Sequence, residues 1–509
     1  MPSTVTSPPT TIVLSALAAD TAGGPSPALL RLDAHATVLS RLADQCRHHG
    51  DVVVLARSAD VEACRATVGV PVVGVDDTVA AVRWLAADAI DPHHEIVVLD
   101  ASTVTLDLGI AMIADGAAAG NRLVIRPLDA RGAPVRCARQ RVVAAGSAGH
   151  RLQRASHRGG GALRIAASDR AMLGETSDAL DQMPSARGDG VAASDVTAWL
   201  TVALVRAGVR VRPVPLPAGM VWHRVRDAAD VAEAAAHLQS TDAEAVRLTG
   251  AVKAQDGFFT TFFVSPYSRF IARWAARRGW SPDQVTAVSM ATGVAAAAAF
   301  AVGSRPAMVA GALLLQVAFM LDCVDGQLAR YARLVTPLGA WLDSVFDRGK
   351  EYVAYAGLAI GGIRAGDDAS LWVLAAAALA LQTVRHTIDF GYGVHQDRAL
   401  ANAQHAPFTD GEEPEPGFWD RAATDPVGAS PVRAGGIAAR IVTALRHAER
   451  IAPVKWAKRI VPLPIGERFA LISIVAAVAS PRAVFVALLA WGGTAAAYTF
   501  GGRFVRSWT

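Results

Sequence analysis

Between Asp322 and Asp347 the chain reads D-C-V-D-G-Q-L-A-R-Y-A-R-L-V-T-P-L-G-A-W-L-D-S-V-F-D, and long apolar segments flank it on both sides. Asp322 and Asp325 are three residues apart, and Asp343 and Asp347 are four apart, so each pair shares one face of a helix. The intervening R-Y-A-R-L-V-T-P-L-G reads as a turn, with Pro337 near the start of the second helix. Folding the two helices together brings four carboxylates to one focus. Such a focus is strongly repulsive unless cations fill it, and hard divalent ions with oxygen ligands are the natural occupants. Ionisable residues at the end of a membrane helix are costly, which marks the stretch as a functional site.

Composition agrees with a chain partly in lipid: 52% of residues are hydrophobic and 18% charged, and the mean hydropathy is positive. The net charge of +4 is too small and too scattered to argue for nucleic acid, and no nucleic-acid partner is expected. Cys46, Cys64, Cys137 and Cys323 show no metal-ligand spacing and read as reduced, cytoplasmic thiols. The first residues carry no positive region followed by an apolar core, so no signal peptide is expected.

Residues 11 to about 245 alternate short apolar runs with helical patterns. Strands are expected at Ile12–Leu17, Val52–Leu55, Ile96–Leu99, Leu123–Ile125, Leu163–Ile165 and Val209–Val214. A first helix should carry Val38, Leu39, Leu42 and Cys46, with Asp33 as N-cap and Gly50 as its stop. The alternation predicts a soluble α/β domain over 1–245, three-layered with a mainly parallel sheet. Loops are expected at Gly146–Gly161 and Ser185–Gly190, and the triple glycine at 159–161 reads as flexible.

Residues 246–284 form a junction. Phe270, Ile271 and Trp274 recur at helical spacing, opposite Arg269, Arg273, Arg277 and Arg278, which predicts an amphipathic helix lying on anionic lipid. From 285 to 509 an all-α transmembrane domain of six helices is expected, at about 285–303, 306–331, 337–363, 369–392, 466–480 and 482–501. A cytoplasmic insert covers about 394–465. Within it 406–436 is acidic and proline-rich and reads as disordered, and Ile437–Val461 reads as a surface helix. Arginine and lysine concentrate in the junction, the Arg330–Arg333 turn, the insert and the C-terminal residues. That bias places a multi-pass protein in the plasma (inner) membrane with both termini and the aspartates cytoplasmic.

The pattern D-x2-D-G-x2-A-R-x8-G-x3-D-x3-D is similar to the signature of the CDP-alcohol phosphotransferase superfamily, and Asp322, Asp325, Gly326, Ala329, Arg330, Gly339, Asp343 and Asp347 supply all its fixed positions. The resemblance implies transfer of a substituted phosphate from a CDP-alcohol to a hydroxyl acceptor, with release of CMP. It implies two Mg²⁺ or Mn²⁺ ions held by Asp322, Asp325, Asp343 and Asp347, with Asp347 also the catalytic base. Asp322, Gly326, Ala329, Arg330 and Gly339 would hold the CDP. It further implies membrane lipid as surroundings and a homodimer as the working assembly. S-P-D-Q-V-T at 281–286 resembles the segment before the family's first membrane helix, and K-A-Q-D-G-F at 253–258 resembles members fused to an N-terminal cytidylyltransferase. Arg385 and Arg468 stand at one depth near the cytoplasmic helix ends. They are candidates to hold the phosphate of a phosphorylated polyol acceptor.

The N-terminal half resembles the sugar-phosphate nucleotidyltransferase fold, on L-S-A-L-A-A-D-T-A-G-G-P-S-P-A-L-L at 14–30 and W-H-R-V-R-D-A-A-D at 222–230. It departs from that family where chemistry is done. Asp20 interrupts the opening loop, Ala28 stands for a lysine, and Arg224 stands for a metal-binding aspartate, while Asp100 could be the other metal aspartate. An inactive domain is the expectation, and a bifunctional enzyme that also makes its CDP-alcohol is the alternative. A membrane transporter with an acidic ion site is the reading from another class. It should show internal repeats and broken helices, and neither is present.

Overall fold

The computed structural model describes residues 9–19, 24–87, 89–115, 120–138, 140–150, 152, 155–181, 195–253, 256–334, 336–404, 456–457 and 459–508. Two compact units divide between Arg247 and Leu248. The Ser185–Gly190 loop, Asp20, the 406–436 stretch and most of Ile437–Val461 lie outside the described residues.

In the first unit, strands run β1 (Thr10–Ala16), β2 (Asp51–Ala56), β3 (Val72–Gly74), β4 (Glu95–Asp100), β5 (Thr103–Thr105), β6 (Asn121–Arg126), β7 (Pro134–Ala138), β8 (Arg141–Ala145), β9 (His157–Ile165), β10 (Val211–Pro215) and β11 (Trp222–Arg224). Their main sheet has the order β10-β6-β9-β4-β1-β2-β3, with β7 pairing β9 and β8 pairing β7, and β5 pairs with β11 separately. Pairs β1–β2, β1–β4, β2–β3 and β6–β10 are parallel, while β9 runs antiparallel to β4 and β6. Helices α1 (Val38–Cys46), α2 (Val61–Thr67), α3 (Thr78–Ala86), α4 (Asp107–Ala114), α5 (Met172–Asp181), α6 (Val196–Arg206) and α7 (Ala228–Ser240) follow the strands, and the division between the units falls within α8 (Ala243–Ala251).

Alternation along the strands creates the layers. Ile12 and Leu14 of β1 pack with Leu39 and Leu42 of α1, whereas Val13 packs with Val82 of α3 and Trp199 of α6. Two expectations need correction. The N-cap of α1 is Thr37, in a capping box with Ser40, while Asp33 accepts from His35 N and Ala36 N in the turn before it. The triple glycine is not a loop: it lies inside β9. A Cβ at Gly160 would stand 2.7 Å from Val124 Cγ1, and Gly161 has φ +77° beside the Arg224 side chain. Gly160 and Gly161 are there because neighbours approach the strand closely.

The second unit is helical. After a π-helical turn at Thr260–Val264 come α9 (Ser265–Arg277), α10 (Pro282–Val302), α11 (Arg305–Ala332), α12 (Pro337–Arg364), α13 (Ser370–Gln404), α14 (Ile465–Val478) and α15 (Pro481–Trp508). Helices thus stand at all six expected positions. Among the described residues, four segments are long and apolar enough to cross a membrane by length and composition: Pro282–Val302, Arg305–Ala332, Ser370–Gly391 and Pro481–Gly501. Helix α12 carries a cluster of charges, and α14 has 14 residues, fewer than the ~20 that span hydrocarbon. Small residues let the helices meet. A Cβ at Gly357 would come within 2.3 Å of Ala297 O, and Gly361 meets the Phe300 carbonyl as closely, so α12 lies directly on the α10 backbone.

The junction helix α9 differs from its expected pattern. Ala272 and Ala275 pack against Val285, Val324 and Leu328, while Tyr267, Phe270 and Trp274 are exposed. The arginines do not oppose the aromatics. Arg269 and Arg273 lie over the Phe270 ring at 5.0 and 5.5 Å, and Arg278 lies over Trp274 at 5.4 Å. Small residues make the packing face because α9 sits close to α11, so aromatic and basic groups share the outer one.

Candidate active site

Three helices build the site. Helix α11 delivers Asp322 and Asp325 and ends at Arg333, whose φ of +58° turns the chain back, with Leu334 N donating to Ala329 O at 2.8 Å. Thr336 caps α12 by accepting from Gly339 N at 2.9 Å, and Pro337 occupies its first turn. That short reversal sets Asp343 opposite Asp322 and Asp325, and carboxylate oxygens of these three lie within 4.8 Å of one another. From α10, Thr286 Oγ1 donates to Asp325 Oδ2 at 2.6 Å. The donor set suits a hard divalent cation, since each residue offers a carboxylate oxygen at one point and Asp325 is oriented by a hydroxyl behind it.

Asp347 is not in that group of three. Its Oδ1 is buried, 3.2 Å from the ammonium of Lys350. Lys350 also donates to Asp322 Oδ1 and, at 3.1 Å, to Ser289 Oγ. Among the nucleotide-site candidates, Gly326 lies beside the Arg330 guanidinium, and a Cβ there would stand 3.4 Å from Arg330 Nη1. Arg330 Nε donates to Ala251 O at 2.5 Å, which anchors the arginine. Ala329 and Gly339 are half-buried near the turn, and a Cβ at Gly339 would come within 3.2 Å of Asp283 Oδ1.

Arg385 and Arg468 are both buried. Arg468 Nε lies 3.1 Å from Glu351 Oε1, and its Nη1 donates to Leu463 O at 3.0 Å. Arg385 donates to Gln382 Oε1 at 3.2 Å and to Pro462 O, and it lines a cavity of about 290 Å³ with Asp389 and Phe500. Glu351, which also accepts from Tyr355 Oη at 2.6 Å, was missed by the sequence reasoning, as were Thr286, Ser289 and Lys350. Lys350 and Glu351 could have been found: they lie three and four residues after Asp347, on the aspartates' face.

The first unit has its own cavity of about 330 Å³, lined by Pro27, Asp100, Arg131, Ser147, Asp195 and Arg224 among others. Arg224 reaches from the end of β11 to donate to Asp100 Oδ2 through Nε at 2.8 Å, and to Asp195 Oδ2 through Nη1 at 2.9 Å. Burial alone would lower the Arg224 pKa, but the two carboxylates override it and raise it. Ala28 is fully buried in the core.

Residues 280–399 match the family described as CDP-alcohol phosphatidyltransferase. Similar curated proteins include the bifunctional IPC transferase and DIPP synthase of Aquifex aeolicus, 32% identical over 158 residues, covering 31% of this chain and 34% of that protein. The archaetidylinositol phosphate synthase of Aeropyrum pernix is 35% identical over 103 residues, covering 20% of this chain and 52% of that one. The phosphatidylinositol phosphate synthase of Streptomyces avermitilis is 32% identical over 130 residues, covering 25% and 51%. The chain thus spans about a third to a half of the length of these relatives. The inositol-1-phosphate CTP transferase from T. maritima superposes with a TM-score of 0.34 and 10% identity, covering 46% of this chain and 97% of that one. With the aspartates, their reversal and the matched residues in one place, the C-terminal half of this chain carries a CDP-alcohol phosphatidyltransferase domain over residues 280–399.

Proposed function

We propose that this protein transfers the substituted phosphate of a CDP-alcohol to an acceptor hydroxyl and releases CMP. The observation that carries the reading is the convergence of Asp322, Asp325 and Asp343 within a complete family signature. A divalent ion bound there, Mg²⁺ or Mn²⁺, would neutralise the donor's pyrophosphate and polarise the phosphoryl oxygens. The acceptor oxygen forms a bond to the phosphorus bearing the alcohol, the bond from that phosphorus to the CMP oxygen breaks, and CMP leaves. Asp347 has 26% of its side chain exposed, enough to meet the acceptor hydroxyl and take its proton. Gly326 and Ala329 leave the α11 surface low for the nucleotide, and Arg330 holds a phosphate. Gly339 lets the start of α12 approach.

All six helices α10–α15 are read as embedded in the plasma (inner) membrane, with termini and aspartates cytoplasmic and α9 on the lipid surface. The charged face of α12 and the short α14 are then enclosed by the four longer spans. A homodimer is the assembly that the family resemblance favours. The relatives' names speak of inositol phosphate products, and buried Arg385 and Arg468 suit such an acceptor's phosphate. A phosphorylated polyol is therefore the proposed acceptor, and CDP-diacylglycerol or a similar CDP-alcohol the donor. The N-terminal unit is read as catalytically silent, because the Arg224 guanidinium already pairs with both Asp100 and Asp195 where a metal-dependent transferase needs its ion.

The test is direct. Protein reconstituted in liposomes with CDP-diacylglycerol, Mg²⁺ and inositol phosphate should release CMP and form a phosphorylated lipid. Absence of CMP with every polyol phosphate and free polyol tried would overturn the reading.

A further inference from the structure

Lys350 is fully buried, and its surroundings are shaped to keep it so. Its stem runs over α10 at Gly293, where a Cβ would stand 2.8 Å from Lys350 Cγ. Its ammonium meets Asp322 Oδ1 from α11, Asp347 Oδ1 at 3.2 Å from α12, and Ser289 Oγ at 3.1 Å from α10. Ser289 spends its own hydrogen on Ala318 O at 2.8 Å, so toward the lysine it can only accept. Three helices thus contribute to one cradle for a positive point charge.

That charge lies between Asp322 and Asp347, where an ion bridging these two carboxylates would have to sit. An ammonium and a divalent ion cannot occupy the same point between these two carboxylates at once. Swinging the lysine aside would pull its stem from the groove above Gly293 and leave a buried ammonium without its carboxylates, a costly arrangement. The Asp322–Asp325–Asp343 focus, by contrast, remains a complete three-carboxylate site.

We propose that the Lys350 ammonium is a built-in cation occupying one of the two positions a four-aspartate site offers. The protein then takes up one divalent ion, at Asp322, Asp325 and Asp343, in place of the two that the family signature implies. This rests on the proposed CDP-alcohol chemistry for its metal. Lys350 is a positioning residue: it holds Asp322 and Asp347 in place and supplies a fixed positive charge.

Manganese counting tests it without reference to turnover. Full-length protein in detergent is titrated with Mn²⁺, with and without cytidine diphosphate, and free Mn²⁺ is read by electron paramagnetic resonance. Wild type should bind one Mn²⁺ per chain in both conditions. Lys350→Met, which keeps the stem and removes the charge, should bind two and show spin coupling between them. Two ions in wild type would overturn the inference while leaving the metal site standing, and one ion in a folded Lys350→Met would also overturn it. No binding at all would remove the metal-dependent reading together with it. If Lys350→Met does not fold, the wild-type count with cytidine diphosphate decides alone, one ion supporting the built-in cation and two overturning it.

Discussion

Thr286 on α10 and Asp325 on α11 are joined by a 2.6 Å hydrogen bond, in which the buried threonine hydroxyl donates to Asp325 Oδ2. The bond ties one oxygen of Asp325 to α10 and so orients the carboxylate that meets Asp322 and Asp343. Removing such an orienting partner lowers metal affinity or activity by roughly 10- to 100-fold. Thr286→Val should therefore raise the Mn²⁺ dissociation constant by about 10-fold or more, with little change in thermal stability. An unchanged Mn²⁺ titration would show that Asp325 is oriented without it.

Arg224 and its two carboxylates predict both a silence and a fragility. Full-length protein given CTP, Mg²⁺ and inositol phosphate should release no pyrophosphate, and sustained release would revive the bifunctional alternative. Removing one partner of a buried ion pair costs about 3–5 kcal/mol. Arg224→Ala should lower the stability of the N-terminal unit by about that much, measured by urea unfolding.

The same cluster sets a pH dependence. Burial would raise the Asp195 pKa, but Arg224, Thr197 and the α6 N-terminus outweigh it and leave Asp195 below the usual carboxylate range. A depressed carboxylate gives stability that is fully present above the ordinary value of about 4 and lost as pH falls through the lower folded value. Urea midpoints of wild type should hold down to about pH 4 and then drop. In Arg224→Ala burial is no longer outweighed by the guanidinium, so the acid drop should shrink or reverse, and identical acid limbs would contradict the assignment.

Much of this was legible in the residues. The aspartates, their helices and the reversal at Pro337 follow from spacing alone, because i, i+3 and i, i+4 are local relationships. Strands β1, β2, β4, β6, β9 and β10 were visible as apolar runs, and Arg224 was visible as a cation in an aspartate's place. What stayed hidden depends on distant neighbours. The glycines of β9 read as a loop, since nothing local shows that Val124 and Arg224 press on them. Strands β7 and β8 lie outside the apolar runs that mark strands in the sequence. Thr286, Ser289 and Gly293 are ordinary helix residues until α10 is laid against α11 and α12.

On the proposed reading, Arg385 and Arg468 serve the acceptor and not the donor. Arg385→Ala should raise the KM for inositol phosphate by about 10- to 100-fold, the loss expected for a charged hydrogen bond, and leave the KM for the CDP-alcohol within about twofold. Arg468→Ala should do the same more severely, because it also strands the buried Glu351. Unchanged acceptor KM in both, or a neutral polyol as the better substrate, would place the acceptor elsewhere.

The central claim is that the aspartates converging from α11 and α12 perform CMP-releasing transfer. Its most direct measurement is CMP release by wild type and by Asp322→Asn, Asp343→Asn and Asp347→Asn in the same liposomes, with Mg²⁺ or Mn²⁺ supplied. Wild type should turn over, and each variant should insert normally yet lose CMP release by roughly 1,000-fold or more, about 4 kcal/mol in the barrier. Near-normal turnover in any of the three inserted variants would contradict the account.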